Sequence, residues 1–175
     1  MKMKKWLEEL KCSKHKKAMP ILSFPAVSLM GISVRELISS SDLQAKAMKT
    51  VADRVPSLAS VSLMDLSLEA EAFGAEIIVT DDEVPTVSGA VVTTPEEAEA
   101  LAVPDVRDAR CGIYIDALKK ATELITDRPV FAGVIGPFSL AGRLMDVSEA
   151  MVNCYVEPEM VHVTLAKVTE FLIKY

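Results

Sequence analysis

The segment PVFAGVIG, residues 129–136, constrains the fold more than any other stretch. Val130, Phe131, Val134 and Ile135 form a short apolar run, opened by proline, closed by glycine and free of charge. Such a run reads as a strand covered on both faces, as in parallel sheets. Two more segments carry the signature, PILSF at 20–24 and roughly residues 59–64, and each of the three leads toward a stretch with helical spacing. Strand then helix, three times over, implies right-handed crossovers and a parallel sheet flanked by helices. The unusual residues cluster just after the strands, where (β/α)8 barrels build their sites, so the expected class is α/β, as a segment of a barrel. A closed barrel needs about 250 residues. With 175, this chain supplies part of one.

Local signals set the remaining elements. Trp6, Leu7 and Leu10 predict an N-terminal helix over 3–17, which divides the chain into an amphipathic helix (1–17) and a body (18–175). Ser33 caps a short helix over 34–39, and a longer one runs to Arg54 with Leu43, Ala47, Met48 and Val51 on one face. A helix after Asp65 ends at Phe73, with Gly74 as a left-handed cap. EIIVTD and PTVSGAVV read as a hairpin-like excursion. Thr94, Pro95 and Glu97 are a cap, a first-turn proline and a capping-box acid. Helices are further expected over 109–126, 138–145, 147–154 and 158–174.

Charge and cysteine usage exclude several classes. Lys and Arg number 19 against 25 Asp and Glu, yet seven lysines fall in the first 17 residues, which leaves residues 18–175 at about −11. So acidic a body is unsuited to general binding of a nucleic-acid backbone. No apolar run follows the lysines as a secretory leader requires, and no stretch is long enough for a membrane span. Three scattered cysteines, Cys12, Cys111 and Cys154, fit reduced thiols and a cytoplasmic setting. Neither His15 nor His162 has a Cys or His partner at metal-ligand spacing, so no metal ligand is assigned.

Three clusters carry chemistry. Asp65 stands where strand becomes loop, and there a carboxylate can accept N–H groups of a ligand or steady a cation; it can equally cap the following helix. GVIGPFSLAGRLMD, 133–146, makes a strand-to-helix turn at Gly136-Pro137, with small residues that permit close approach and Arg143 free to pair with a carboxylate or with Asp146. Glu69, Glu71 and Glu76 read as a solvated helix surface, since acids at i and i+2 do not share a face.

At these clusters the chain resembles the uroporphyrinogen decarboxylase superfamily, from about Met19 onward and most clearly in MDLSLEAEAFGAEI and PVFAGVIGPFSLAGRLMD. The resemblance implies the N-terminal half of that family's TIM barrel. It also implies that Asp65, spaced ahead of Ala72-Phe73-Gly74 as in the decarboxylases, is the catalytic aspartate facing a tetrapyrrole. Substrate contacts would come from Ser23 and Phe24, at the place of the family's substrate loop, and from Gly136, Pro137, Phe138, Ser139 and Arg143. Decarboxylases carry an arginine-rich loop after the first strand, whereas this chain has no arginine before Arg35, and Arg143 stands about where they have tyrosine. GPFSLAGRLMD looks more like the methyltransferase branch, in which a zinc-bound thiolate takes a methyl group from a corrinoid. The expectation is therefore part of a corrinoid-dependent methyltransferase, with methylcobalamin as substrate or cofactor and a corrinoid or tetrapyrrole, free or on a corrinoid protein, as partner. Two alternatives stand beside it: a decarboxylase with a diverged loop, and a non-catalytic half-barrel that assembles with its own copies or with a missing half. The branch's zinc motif has no counterpart here, so zinc would enter only through a C-terminal half, and none of the histidines or cysteines is assigned to it.

Overall fold

The computed structural model describes residues 3–22 and 24–175. In chain order these form α1 (Met3–Cys12), α2 (Ala26–Met30), α3 (Val34–Ile38), α4 (Ser41–Arg54), β1 (Ser60–Val61), α5 (Leu68–Ala72), β2 (Glu76–Ile78), β3 (Thr86–Ser88), α6 (Pro95–Ala100), α7 (Cys111–Leu124), β4 (Val130–Phe131), α8 (Pro137–Met145), α9 (Val147–Val156) and α10 (Pro158–Lys174). The fold is mixed α/β.

Two of the three expected parallel strands pair. β1 lies parallel to β4, with Ser60 opposite Val130 and Val61 opposite Phe131. The ladder is short: the Ser60 and Ser62 N–H groups donate to Pro129 and Phe131 carbonyls at 2.8 and 2.9 Å, and then the Ser62 hydroxyl accepts from Gly133 N at 2.8 Å. The hairpin is present as an antiparallel pair, Glu76 opposite Ser88 and Ile78 opposite Thr86.

Two expectations are corrected. PILSF forms no strand among its described residues; Pro20 has no N–H to give, and the nearby backbone contact is Leu58 N, two residues before β1, donating to Ala18 O at 2.8 Å. The expected class, α/β as part of a barrel, is present as a mixed α/β fold in which each sheet among the described residues has two strands and no closed barrel forms. The N-terminal helix also stops at Cys12 rather than 17, where Lys16 Nζ donates to the Leu10 and Lys11 carbonyls at 2.5 and 3.2 Å.

The helices bury what the sheets leave open. Small residues let α4 lie close on α7, where Ala45, Met48 and Ala52 meet Ala121 and Ile125. The main core joins Leu37, Ile38, Leu140 and Leu144 to Phe171, whose ring meets that of Phe73 edge-on at 5.2 Å. The loops entering the paired strands are tied by Arg128, whose Nη1 donates to Val55 O at 2.8 Å and Ser57 Oγ at 3.1 Å. Both strands therefore end at a common level, and their outgoing loops, 62–67 and 132–136, lie side by side.

Candidate functional site

Asp65 leaves β1 on the first of these loops, and its side chain is wholly buried. Oδ1 accepts from Ser67 N at 3.0 Å and Ser67 Oγ at 2.6 Å, a turn that directs the chain into α5. Oδ2 accepts from Arg110 Nη1 at 2.5 Å and Tyr114 OH at 2.9 Å. Arg110, at the start of α7, spreads its fork over three partners, with Nε on Glu71 at 2.6 Å and Nη2 on Ser67 Oγ at 3.2 Å. Burial pulls the Arg110 pKa down, but the charge of Asp65 and the hydrogen bond to it, with Tyr114 and Glu71, outweigh burial and raise it. Burial, then the Asp65 charge, pushes the Tyr114 hydroxyl upward, so it stays a donor.

The acids of α5 are not the solvated surface expected of them. Glu69 is 3% exposed and its Oε1 accepts from Ile135 N at 3.1 Å, which ties α5 to the loop after β4. Burial raises its pKa, against the lowering effect of that backbone N–H. Glu71 is the half-buried partner of Arg110, and only Glu76 of the three is exposed.

Two clefts flank this network. The larger, about 350 Å³, opens beyond the paired strands and is walled by Met64, Leu66, Val134, Phe138 and Val147, with Gly136, Ser139 and Arg143 along the first turns of α8. The smaller, about 170 Å³, lies between α7 and α10 and includes Ser62, Tyr114, Gly133 and Tyr175. The structure thus brings Gly136, Phe138, Ser139 and Arg143 together. Pro137 begins α8 beside them. Asp65 lines neither cleft; its chain neighbours Met64 and Leu66 do. Phe24 packs against the main core and lines neither cleft, and Ser23 lies outside the described residues. Arg143 does not pair with Asp146, whose Oδ1 instead accepts from Ser148 N and Glu149 N at the start of α9.

Asp65 and the Gly136-Pro137 turn lie in the two motifs that carry the resemblance, and a family model described as uroporphyrinogen decarboxylase (URO-D) matches residues 15–175. The chain belongs to the URO-D family. Among its relatives, methylcobamide:CoM methyltransferase MtbA of Methanosarcina acetivorans is 30% identical over 113 residues, covering 63% of this chain and 33% of that protein. A methylated-thiol–coenzyme M methyltransferase of Methanosarcina mazei is 28% identical over 118 residues, or 63% of this chain and 30% of that one. The solved structure of a methyltransferase from Methanosarcina mazei superimposes with a TM-score of 0.76 at 23% identity, over 89% of this chain and 46% of the other, a likeness of fold. The chain spans about a third of the length of the relatives it matches.

The zinc implied by the methyltransferase branch finds no fitting donors among the described residues of this URO-D chain. Among the described residues no three His, Cys, Asp or Glu side chains come together as a metal would need. Cys12 and Cys154 are exposed singly, and burial, followed by the nearby Glu69 charge, pushes the Cys111 thiol up to about 12, against the thiolate a metal requires. No helix among the described residues is long and apolar enough to cross a membrane.

Arg110, Tyr114 and Glu69 are what reading the sequence missed. For Glu69 a signal existed: it lies three and four residues before Ala72 and Phe73, on the stripe that Phe73 buries. Arg110 and Tyr114 reach Asp65 across 45 and 49 residues, and no local pattern announces such a pairing.

Proposed function

We propose that this chain forms the corrinoid-facing part of a URO-D family methyltransferase that moves a methyl group from methylcobalamin to a thiol. The observation that carries the reading is the larger cleft, set beyond the ends of parallel strands, walled by apolar side chains and holding a single charged lining residue, Arg143. A tetrapyrrole with many carboxylates needs many cations, each hard to replace. A corrinoid face needs mainly apolar contact. The similarity to MtbA, whose name specifies a methylcobamide, supports the same direction.

In this reading Asp65 is a positioning residue in the arrangement observed, fixing the Met64–Leu66 wall through Ser67, Arg110 and Tyr114. For its carboxylate to meet the macrocycle directly, as the family resemblance implies, Tyr114 or Arg110 has to yield. Titrating methylcobalamin with the chain, followed by its visible absorption, tests the proposal. Saturable binding weakened at least about tenfold by Phe138→Asp supports it. Saturable uroporphyrinogen binding with none of methylcobalamin moves the reading to a decarboxylase with a diverged loop.

A second reading, an assembly module, is favoured by α9, which buries only Ala150 and leaves Val147, Met151 and Tyr155 open on one stripe.

A further inference from the structure

Two helices among the described residues are left largely uncovered, and their surroundings are opposite in charge. α1 buries none of its residues. Trp6 holds it to the body through Phe131, with ring centroids 5.5 Å apart, while Met3 and Leu7 stay exposed. Leu7 lies between Lys4 and Lys11 on one helical face, three residues after the first and four before the second. α9 buries only Ala150, so Met151, Val152, Tyr155 and Val156 are open, and exposed Glu149, three residues before Val152, borders them. Residues 1–17 carry seven lysines against two acids, whereas residues 144–166 carry four acids and neither lysine nor arginine. Among the described residues Lys4, Lys14 and Lys17 pair with no acid, and Glu149, Glu157 and Glu159 pair with no cation. Both helices have ten residues, which makes each about 15 Å long.

We propose that α1 of one chain docks on α9 of a second copy, apolar edge to apolar face, with the lysines of the first set against the glutamates of the second. A copy is the occupant because it brings both halves of the match: each chain displays a basic helix and an acidic one, so two chains that exchange them make the contact twice. A bilayer fits less well. With Trp6 turned onto Phe131, α1 offers it two exposed apolar side chains, Met3 and Leu7, and a body at about −11 is repelled by anionic lipid. A single contact between helices this short falls below the area of a stable interface, so the affinity is modest and falls with salt. The contact rests on the assembly reading of α9, to which it adds the occupant, and is indifferent to methyl transfer.

Sedimentation velocity of the 175-residue chain tests it. The chain is expected to self-associate, and to do so about tenfold more weakly at about 500 mM salt than at about 50 mM. Lys4→Glu with Lys11→Glu makes both exposed edges acidic, and Glu149→Lys with Glu157→Lys makes both basic, so each variant alone should associate at least about tenfold more weakly. Their equimolar mixture sets each altered helix against its opposite and should return to within about threefold of the unaltered chain. Carbodiimide cross-linking of isotope-labelled with unlabelled chain should join lysines of residues 4–17 to Glu149, Glu157 or Glu159 between chains. An unaltered chain that is monomeric at about 100 μM, association unchanged in both variants, or a mixture no stronger than its components overturns the proposal. So does a chain that stays monomeric yet sediments with vesicles of phosphatidylserine and phosphatidylcholine. Association lost in Met151→Lys with Tyr155→Lys but insensitive to the α1 changes overturns the α1 contact and leaves the assembly reading standing.

Discussion

At the scale of single residues, the network around Asp65 is the most heavily committed part of the molecule. One arginine serves a fully buried acid, a half-buried one and a hydroxyl, so removing it leaves carboxylates without a counter-charge. Arg110→Met should cost about 3–5 kcal/mol in urea-monitored unfolding, and adding Asp65→Asn should recover part of the loss, because the uncompensated charge goes with it. Glu69 sets a pH dependence of definite sign. Its folded pKa is raised above the ordinary 4.5, so the folded chain holds a proton there that the unfolded chain has released. That contribution is full below about 4.5 and is lost as pH climbs through the raised value. Glu69→Gln keeps an acceptor for Ile135 N and should therefore flatten this fall, gaining stability relative to the unaltered chain as pH rises; melts across a pH series check it. A steeper fall in the variant contradicts it. Asp65 itself could be picked out from the sequence because a carboxylate at a strand end is conspicuous. Its partners could not, because burial pairs charges by proximity in space, and the sequence shows only separation along the chain.

At the scale of elements, the joint between α8 and α9 governs the cleft. Asp146 closes one helix and opens the next at φ +67°, a region that favours glycine, and its side chain offsets the strain by taking two N–H groups of α9. Asp146→Ala loses the cap and keeps the strain, so it should destabilise by about 1–2 kcal/mol in thermal or urea unfolding. Asp146→Gly relieves the backbone and should cost less. Gly142 lets this joint close: a Cβ there would sit 3.3 Å from Val147 Cγ2. Helix boundaries were well signalled by sequence, since caps are local chemistry: Ser33 with Glu36 and Thr94 with Glu97 both form the reciprocal boxes their spacing suggests. PILSF misled because an apolar run states only that a segment is buried; whether it becomes a strand depends on a neighbour with free backbone groups.

At the scale of the whole molecule, the paired strands have one neighbour each among the described residues, and α9 carries Val147, Met151, Cys154 and Tyr155 along one side, with Tyr155 91% exposed. Apolar area left open on this scale favours association. Light scattering should give a mass above that of one chain, and Met151→Lys with Tyr155→Lys should return it to the single-chain value; a monodisperse monomer without these changes counts against the expectation. Cys154 gives that stripe its own reporter. With Cys12 replaced by serine, and with the Cys111 thiol sealed beneath α5, a maleimide dye has one fast target, and its labelling rate reads directly whether water or another surface lies over the ninth helix.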